Sequence, residues 1–132
     1  MKKNVIFLFL LMATILGGCN AAVNMNGKVM GLSSGQFTYQ DGNLIRSYKA
    51  DLDRVWKACE KTVKELNGTN IQNDRKIATG TINSTVQDEK VSISMEYIDK
   101  TTTSVAVFVG VAGNNMASKL IHEKIARFLV EP

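Results

Sequence analysis

The chain has 132 residues, 45% hydrophobic and 21% charged, a balance that suits one globular domain and excludes a disordered tail, a collagen-like fibre and a multidomain enzyme. Two of its 16 basic residues, Lys2 and Lys3, fall in the first three positions; without them 14 bases face 12 acids, and nucleic acid is not implied as a partner. One Pro, two Cys and one His leave few parts for a catalytic or metal centre, and no cofactor is expected.

At the front, Lys2 and Lys3 form a charged flank, Val5 to Leu16 is an apolar run, and Leu16-Gly17-Gly18-Cys19 follows at once. A resident transmembrane helix needs about 20 apolar residues, so this shorter run reads as a secretory signal over 1–18. Small residues before a cysteine distinguish its ending. Leu16 to Cys19 resembles the bacterial lipobox, and the resemblance implies cleavage between Gly18 and Cys19 with a diacylglycerol on the Cys19 thiol. The bland alternative is an ordinary signal followed by a chance cysteine. With two or more acyl chains, at about 0.8 kcal/mol per buried methylene, the expected protein is held at a membrane without spanning it. Asn20 after the acylated residue, rather than Asp, points to the outer membrane, facing the periplasm. If Cys19 is alkylated, Cys59 is the one remaining thiol and no intrachain disulfide can form.

Residues 19–35 read as the lipidated cysteine and a Gly-containing tether with a root-mean-square reach of roughly 20 to 24 Å. The patterned domain is 36–132. Strands around Gln36–Gln40 and Asn43–Tyr48 flank Asp41-Gly42, a type I′ turn that sets Tyr39 opposite Leu44. Asp51 caps a helix from Leu52 to about Asn67, ended by Gly68, with Leu52, Val55, Trp56, Cys59, Val63 and Leu66 as its apolar stripe. Period-two stretches follow near 76–86, 90–98 and 103–111; one face carries Ala78, Gly80, Ile82, Ser84 and Val86, then Val91, Ile93, Met95 and Tyr97, then Val105, Val107, Val109 and Val111, and mostly polar residues take the other. A last helix, about 115–130, turns Ala117, Leu120, Ile121, Ile125, Phe128 and Leu129 inward. The order ββαβββα describes an α+β, two-layer sandwich: an antiparallel sheet with two helices on one face.

The lipobox, the run Phe37-x-Tyr39-x-x-Gly42-x-Leu44-x-x-x-Tyr48, the segment Leu52-Asp53-Arg54-Val55-Trp56-x-Ala58, and Asp74-Arg75 with Gly80-x-Ile82 resemble an uncharacterised family of small bacterial lipoproteins. That family is catalogued as a domain of unknown function, so the resemblance implies fold and location and no activity. Trp56, Asp74-Arg75 and the Gly80 strand are also similar to the helix-grip domains of a lipoprotein in the outer-membrane assembly machinery. Cys59 and the polar stretch 67–70 depart from the first pattern.

Few residues invite chemistry. His122-Glu123 begins like a zinc-protease helix, but position 126 is Ala, so His122 reads as a boundary or surface residue. Cys59 reads as a small core hydrophobe. Trp56, Met95 and Tyr97 are candidate lining for an apolar ligand cleft between helices and sheet. On the uncovered sheet face, Ile98, Ala106 and Phe108 are apolar groups among hydroxyls, a candidate contact surface for an envelope protein. Two functions follow: a non-enzymatic, lipid-anchored interaction or structural module, or a carrier or sensor of a small apolar or lipidic ligand.

Overall fold

The computed structural model describes residues 24–25, 28–29 and 37–131. The chain divides into two units, Met1–Met30 and Gly31–Pro132. In the first, β1 (Asn24–Met25) and β2 (Lys28–Val29) pair antiparallel, so a short ladder lies inside the stretch read as tether. The expected signal peptide and its expected cleavage site at Gly18 and Cys19 lie outside the described residues.

The second unit is the expected α+β domain. Its elements are β3 (Thr38–Gln40), β4 (Asn43–Tyr48), α1 (Leu52–Glu65), β5 (Thr69–Arg75), β6 (Thr79–Val86), β7 (Glu89–Asp99), β8 (Thr102–Val109) and α2 (Asn115–Val130). Six strands form one open antiparallel sheet in the order β3-β4-β8-β7-β6-β5. The order read from the patterned segments is present, and β5 adds an edge strand to it. Thr69-Asn-Ile-Gln-Asn-Asp-Arg75 shows no alternation because all seven residues are exposed, leaving no buried face to write a period into the sequence.

Local chemistry explains the boundaries. Asp41 and Gly42 both have positive φ, as a type I′ turn requires, and Tyr39 stands opposite Leu44. The Asp51 carboxylate accepts from the Arg54 amide at 3.0 Å and starts α1. Its end is a Schellman motif: Asn67 takes the left-handed conformation, its N–H donates to Lys64, and the Gly68 N–H donates to Val63. Thus Asn67, rather than Gly68, makes the turn, and the helix ends slightly earlier than expected. Gly68 is needed one step later, where a Cβ would stand 2.6 Å from a Val63 methyl.

One face of the sheet is covered. Val55, Cys59, Ile93, Val105, Val107 and Ile125 are fully buried and join both helices to the central strands. Four inward assignments do not hold: Ala78, in the turn before β6, and Tyr97, at the bulged end of β7, are exposed, and so are Leu120 and Val111. Leu120 is 57% exposed, because Ser118, Ile121, His122 and Ile125 form the buried stripe of α2 and Leu120 lies about 100° around the helix from Ile121. Val111 is fully exposed, because β8 ends at Val109 and Gly110 turns the chain out with φ of 80°.

A helix side chain packs tightly on the sheet at Gly80, where a Cβ would sit 2.7 Å from Trp56 Cζ3 and 2.8 Å from Cε3. Such spacings are below van der Waals contact, so a methyl group must displace the Trp56 ring or the helix that carries it. Gly80→Ala is expected to lower stability by about 1 to 3 kcal/mol in urea unfolding. Combining it with Trp56→Leu should cost less than the sum of the two single changes, and additive losses would show that the ring and the glycine do not oppose each other.

Candidate functional site

The group that sequence reading places at the boundary or on the surface lies, with Ser118, fully enclosed on the buried stripe of α2. His122 has no solvent exposure. Its Nε2 lies 2.7 Å from the Leu44 carbonyl, which can only accept, so Nε2 carries the proton. Nδ1 is therefore the acceptor for the Tyr48 hydroxyl at 2.8 Å; the same hydroxyl lies 3.0 Å from the His122 carbonyl. Phe37 meets the imidazole edge-on, with ring centroids 5.3 Å apart. Lone histidines carry no periodic signal, and it is Tyr48 and the Leu44 carbonyl, 74 and 78 positions away, that supply the partners that let this one go inside.

Arg46 shares this corner. Its guanidinium lies 5.4 Å from the Phe37 ring centre and 5.0 Å from that of Tyr48. It occupies a position of β4 on the covered face, between Leu44 and Tyr48, where alternation alone asks for an apolar residue. The aromatic pair accommodates its cation, and the sequence signal was Phe37 and Tyr48 at either side of it.

Burial sets the protonation states. It pulls the His122 pKa from 6.5 to about 4, helped by the Arg46 charge and opposed by the bond to Leu44. Burial likewise pushes the Tyr48 hydroxyl and the Cys59 thiol well above their ordinary ranges. Neutral imidazole, phenol and thiol are what a packed core selects. Cys59 is fully buried, as expected of a core residue, and a protonated thiol without solvent access is a poor nucleophile. Among the described residues, no group of three His, Cys, Asp or Glu side chains is arranged to hold a metal ion.

The residues proposed for a ligand cleft do gather near Gly80. Met95 pairs with Gly80 across the ladder and is 2% exposed; the Trp56 ring lies against Gly80 with the Arg75 guanidinium 5.8 Å away; Tyr97 is 44% exposed two residues beyond Met95. Arg75 is held in place by Asp53 at 2.8 Å. Side chains thus occupy the space between Trp56 and the strands. The cavity at the other end of α1, lined by Val63, Ile71 and Ile82 with Glu60, Lys64 and Asn73, measures about 40 Å³, room for little more than a water molecule.

On the uncovered face, the ladder sets Ala106 between Ile45 and Ser94, and Phe108 opposite Ser92. Both are half-buried. The Phe108 ring lies where a Gly42 Cβ would come within 2.5 Å, so it serves as the floor of the β3–β4 turn. Ile98 sits in the β7 bulge at the far end of the sheet, about 17 Å from Phe108 at the ordinary rise per residue. The three apolar groups do not form one patch.

The fold and this interior define a small two-layer α+β domain whose titratable core groups are held neutral. The chain belongs to the family described as Protein of unknown function (DUF3568), whose pattern matches residues 2–127. No curated protein matches it.

The imidazole makes stability depend on pH. Its folded pKa is below its unfolded value, so the unfolded chain binds the extra proton first, and stability present above pH 6.5 is lost as pH falls toward 4. The fall is worth roughly 3 kcal/mol. In urea titrations His122→Leu should remove that part of the loss between pH 7 and pH 4; identical acid profiles in the two proteins would contradict the assignment.

Proposed function

We propose that the protein is a lipid-anchored cell-envelope lipoprotein, with Cys19 acylated after cleavage at Gly18, serving as a non-enzymatic interaction or structural module. The observation that carries this reading is Leu16-Gly17-Gly18-Cys19 directly behind a basic flank and an apolar run too short to span a bilayer. It is supported by the extent of the family match, which starts at residue 2 and so takes in the leader and its cysteine as well as the domain. Among the described residues no helix is long and apolar enough to cross a membrane. The burial of Cys59 and His122, each neutral, supports the non-enzymatic part, since these were the side chains that invited chemistry. Asn20 following the anchor favours the outer membrane and a periplasmic domain, with another envelope protein as partner.

The test is metabolic labelling of the full chain in its host with an alkyne analogue of palmitate, followed by detergent phase partition. The native chain is expected to be labelled and to enter the detergent phase, and Cys19→Ser to lose both properties. An unlabelled native chain, or a variant that stays in the detergent phase, would overturn the anchor.

A further inference from the structure

No described helix or strand packs on the second face of the sheet, and the ladder fixes which side chains stand there. Ile45, Ala106, Ser94 and Thr81 form one row across β4, β8, β7 and β6; Phe108, Ser92 and Asn83 form the next. Ile45, Ala106 and Phe108 are half-buried neighbours, an apolar group beside the hydroxyls of β7. In the paired region, charge on this face stands at the margins. Lys90 and Glu96, both exposed, lie toward the two ends of β7, and Asp74 lies on the edge strand β5, paired with Lys76.

These positions are related by one symmetry operation. Ile93 pairs with Val107, and the residues on either side of that pair are Ser92 and Ser94 on β7, Ala106 and Phe108 on β8. A two-fold axis laid across the strands over that pair, between two such faces, sets each strand on its own counterpart running the other way. Ser92 then meets Ser94 of the second copy, Lys90 meets its Glu96, and Phe108 meets its Ala106, each contact made twice. A phenyl ring seated over a methyl group is the large-on-small fit by which the inner faces of two sheets interlock at about 10 Å. Serine hydroxyls both donate and accept, so those that lose water have partners in one another. Asp74 comes over Gln72 of the second copy rather than over a like charge. A single axis satisfies the steric pattern and the charge pattern together.

The face is also wide enough. Five strand spacings of about 4.8 Å by about 25 Å of strand give roughly 600 Å² on each copy, or roughly 1,200 Å² in all, the lower end of the range for specific interfaces. Its short side chains lose less rotamer freedom on docking than long ones would. A lipid anchor would hold both copies on one surface and raise their effective concentration.

We propose that this face is the interface of a two-fold symmetric homodimer, in which Phe108 of each copy seats on Ala106 of the other and Lys90 pairs with Glu96 across the rim. This deepens, and rests on, the reading of the domain as an interaction module, by naming a second copy of this chain as its partner.

Cysteine cross-linking and mass measurement on the full acylated chain test the interface. Chains carrying Ser92→Cys and Ser94→Cys are produced in the host together and separately, with Lys57→Cys on the exposed side of α1 as a control; Cys59 is buried. A disulfide-linked pair of chains should form several-fold more when 92 and 94 are present together than from either alone, and not from position 57. In detergent, light scattering should give the protein mass of two chains. Lys90→Glu, an exposed change, should raise the dissociation constant about tenfold, and mixing it with Glu96→Lys chains should restore pairing. A single-chain mass without 92–94 linkage overturns the dimer; so does a dimer that Lys90→Glu leaves unchanged, and so does linkage of position 92 or 94 to a different protein. Acylation is read by mass spectrometry on the same samples. An unacylated chain that still pairs overturns the anchor and leaves the interface, whereas an acylated chain that stays single overturns the interface and leaves the anchor.

Discussion

The domain depends on one constraint: a six-stranded sheet must bury its aliphatic face, and it has two helices with which to do so. Ile93, Val105 and Val107 on the two central strands have no solvent exposure, and neither do Val55, Cys59 and Ile125 above them. Each such side chain contributes about 1.5 to 3 kcal/mol on leaving water. No disulfide shares the load, since Cys59 is a free buried thiol. The helices therefore have to sit close, and the small residues of the interface reflect that: Gly80 admits Trp56, and Ala58 and Cys59 leave room for the valines beneath.

Covering one face of a wide sheet leaves its borders difficult to seal. At the β4 border three enclosed polar groups satisfy one another, while the buried Arg46 Nε makes no hydrogen bond to the protein. Tyr48, His122 and the Leu44 carbonyl form a closed set of hydrogen bonds across the helix-to-sheet boundary, and Arg46 lies against the aromatic rings of Phe37 and Tyr48. Buried polar groups joined in this way define a register that apolar packing alone would leave loose, because a shifted helix would strand both the phenol and the imidazole. At the other border β5 is fully exposed and polar, with a bulge between Thr69 and Gln72 and charges at Asp74 and Arg75, features that discourage another strand from adding to the edge.

The two ends of the sheet are built differently. The Phe108 ring seals the turn at one end, where Gly42 and Gly113 also approach so closely that a Cβ on Gly113 would meet the Gly42 backbone. The other end keeps Ile77, Ile98 and Val130 in water. Val111 is likewise exposed at the first end, so apolar tips are left in water at both.

Much of the fold was legible in the residues because it is local. The Asp41-Gly42 turn, the Asp51 cap and the alternation of Val105, Val107 and Val109 each need only their neighbours in sequence to be read. The segment from Lys2 to Cys19, proposed above as a leader and its acylated cysteine, is likewise a local pattern, and the family match covers those residues. What stayed hidden had no local signature. Strand β5 buries nothing, so no hydrophobic period marks it; Leu120 and Val111 are apolar yet exposed, because helix phase and the end of β8 outweigh composition; and His122 goes inside because Tyr48 and Leu44, more than 70 residues away, provide its hydrogen bonds. Patterns of period and turn chemistry thus determined the elements and the face they bury. Only the three-dimensional pairing of distant residues decided which polar groups could be enclosed and which apolar ones were left at the end of the sheet, because enclosure depends on a partner and sequence shows neighbours alone.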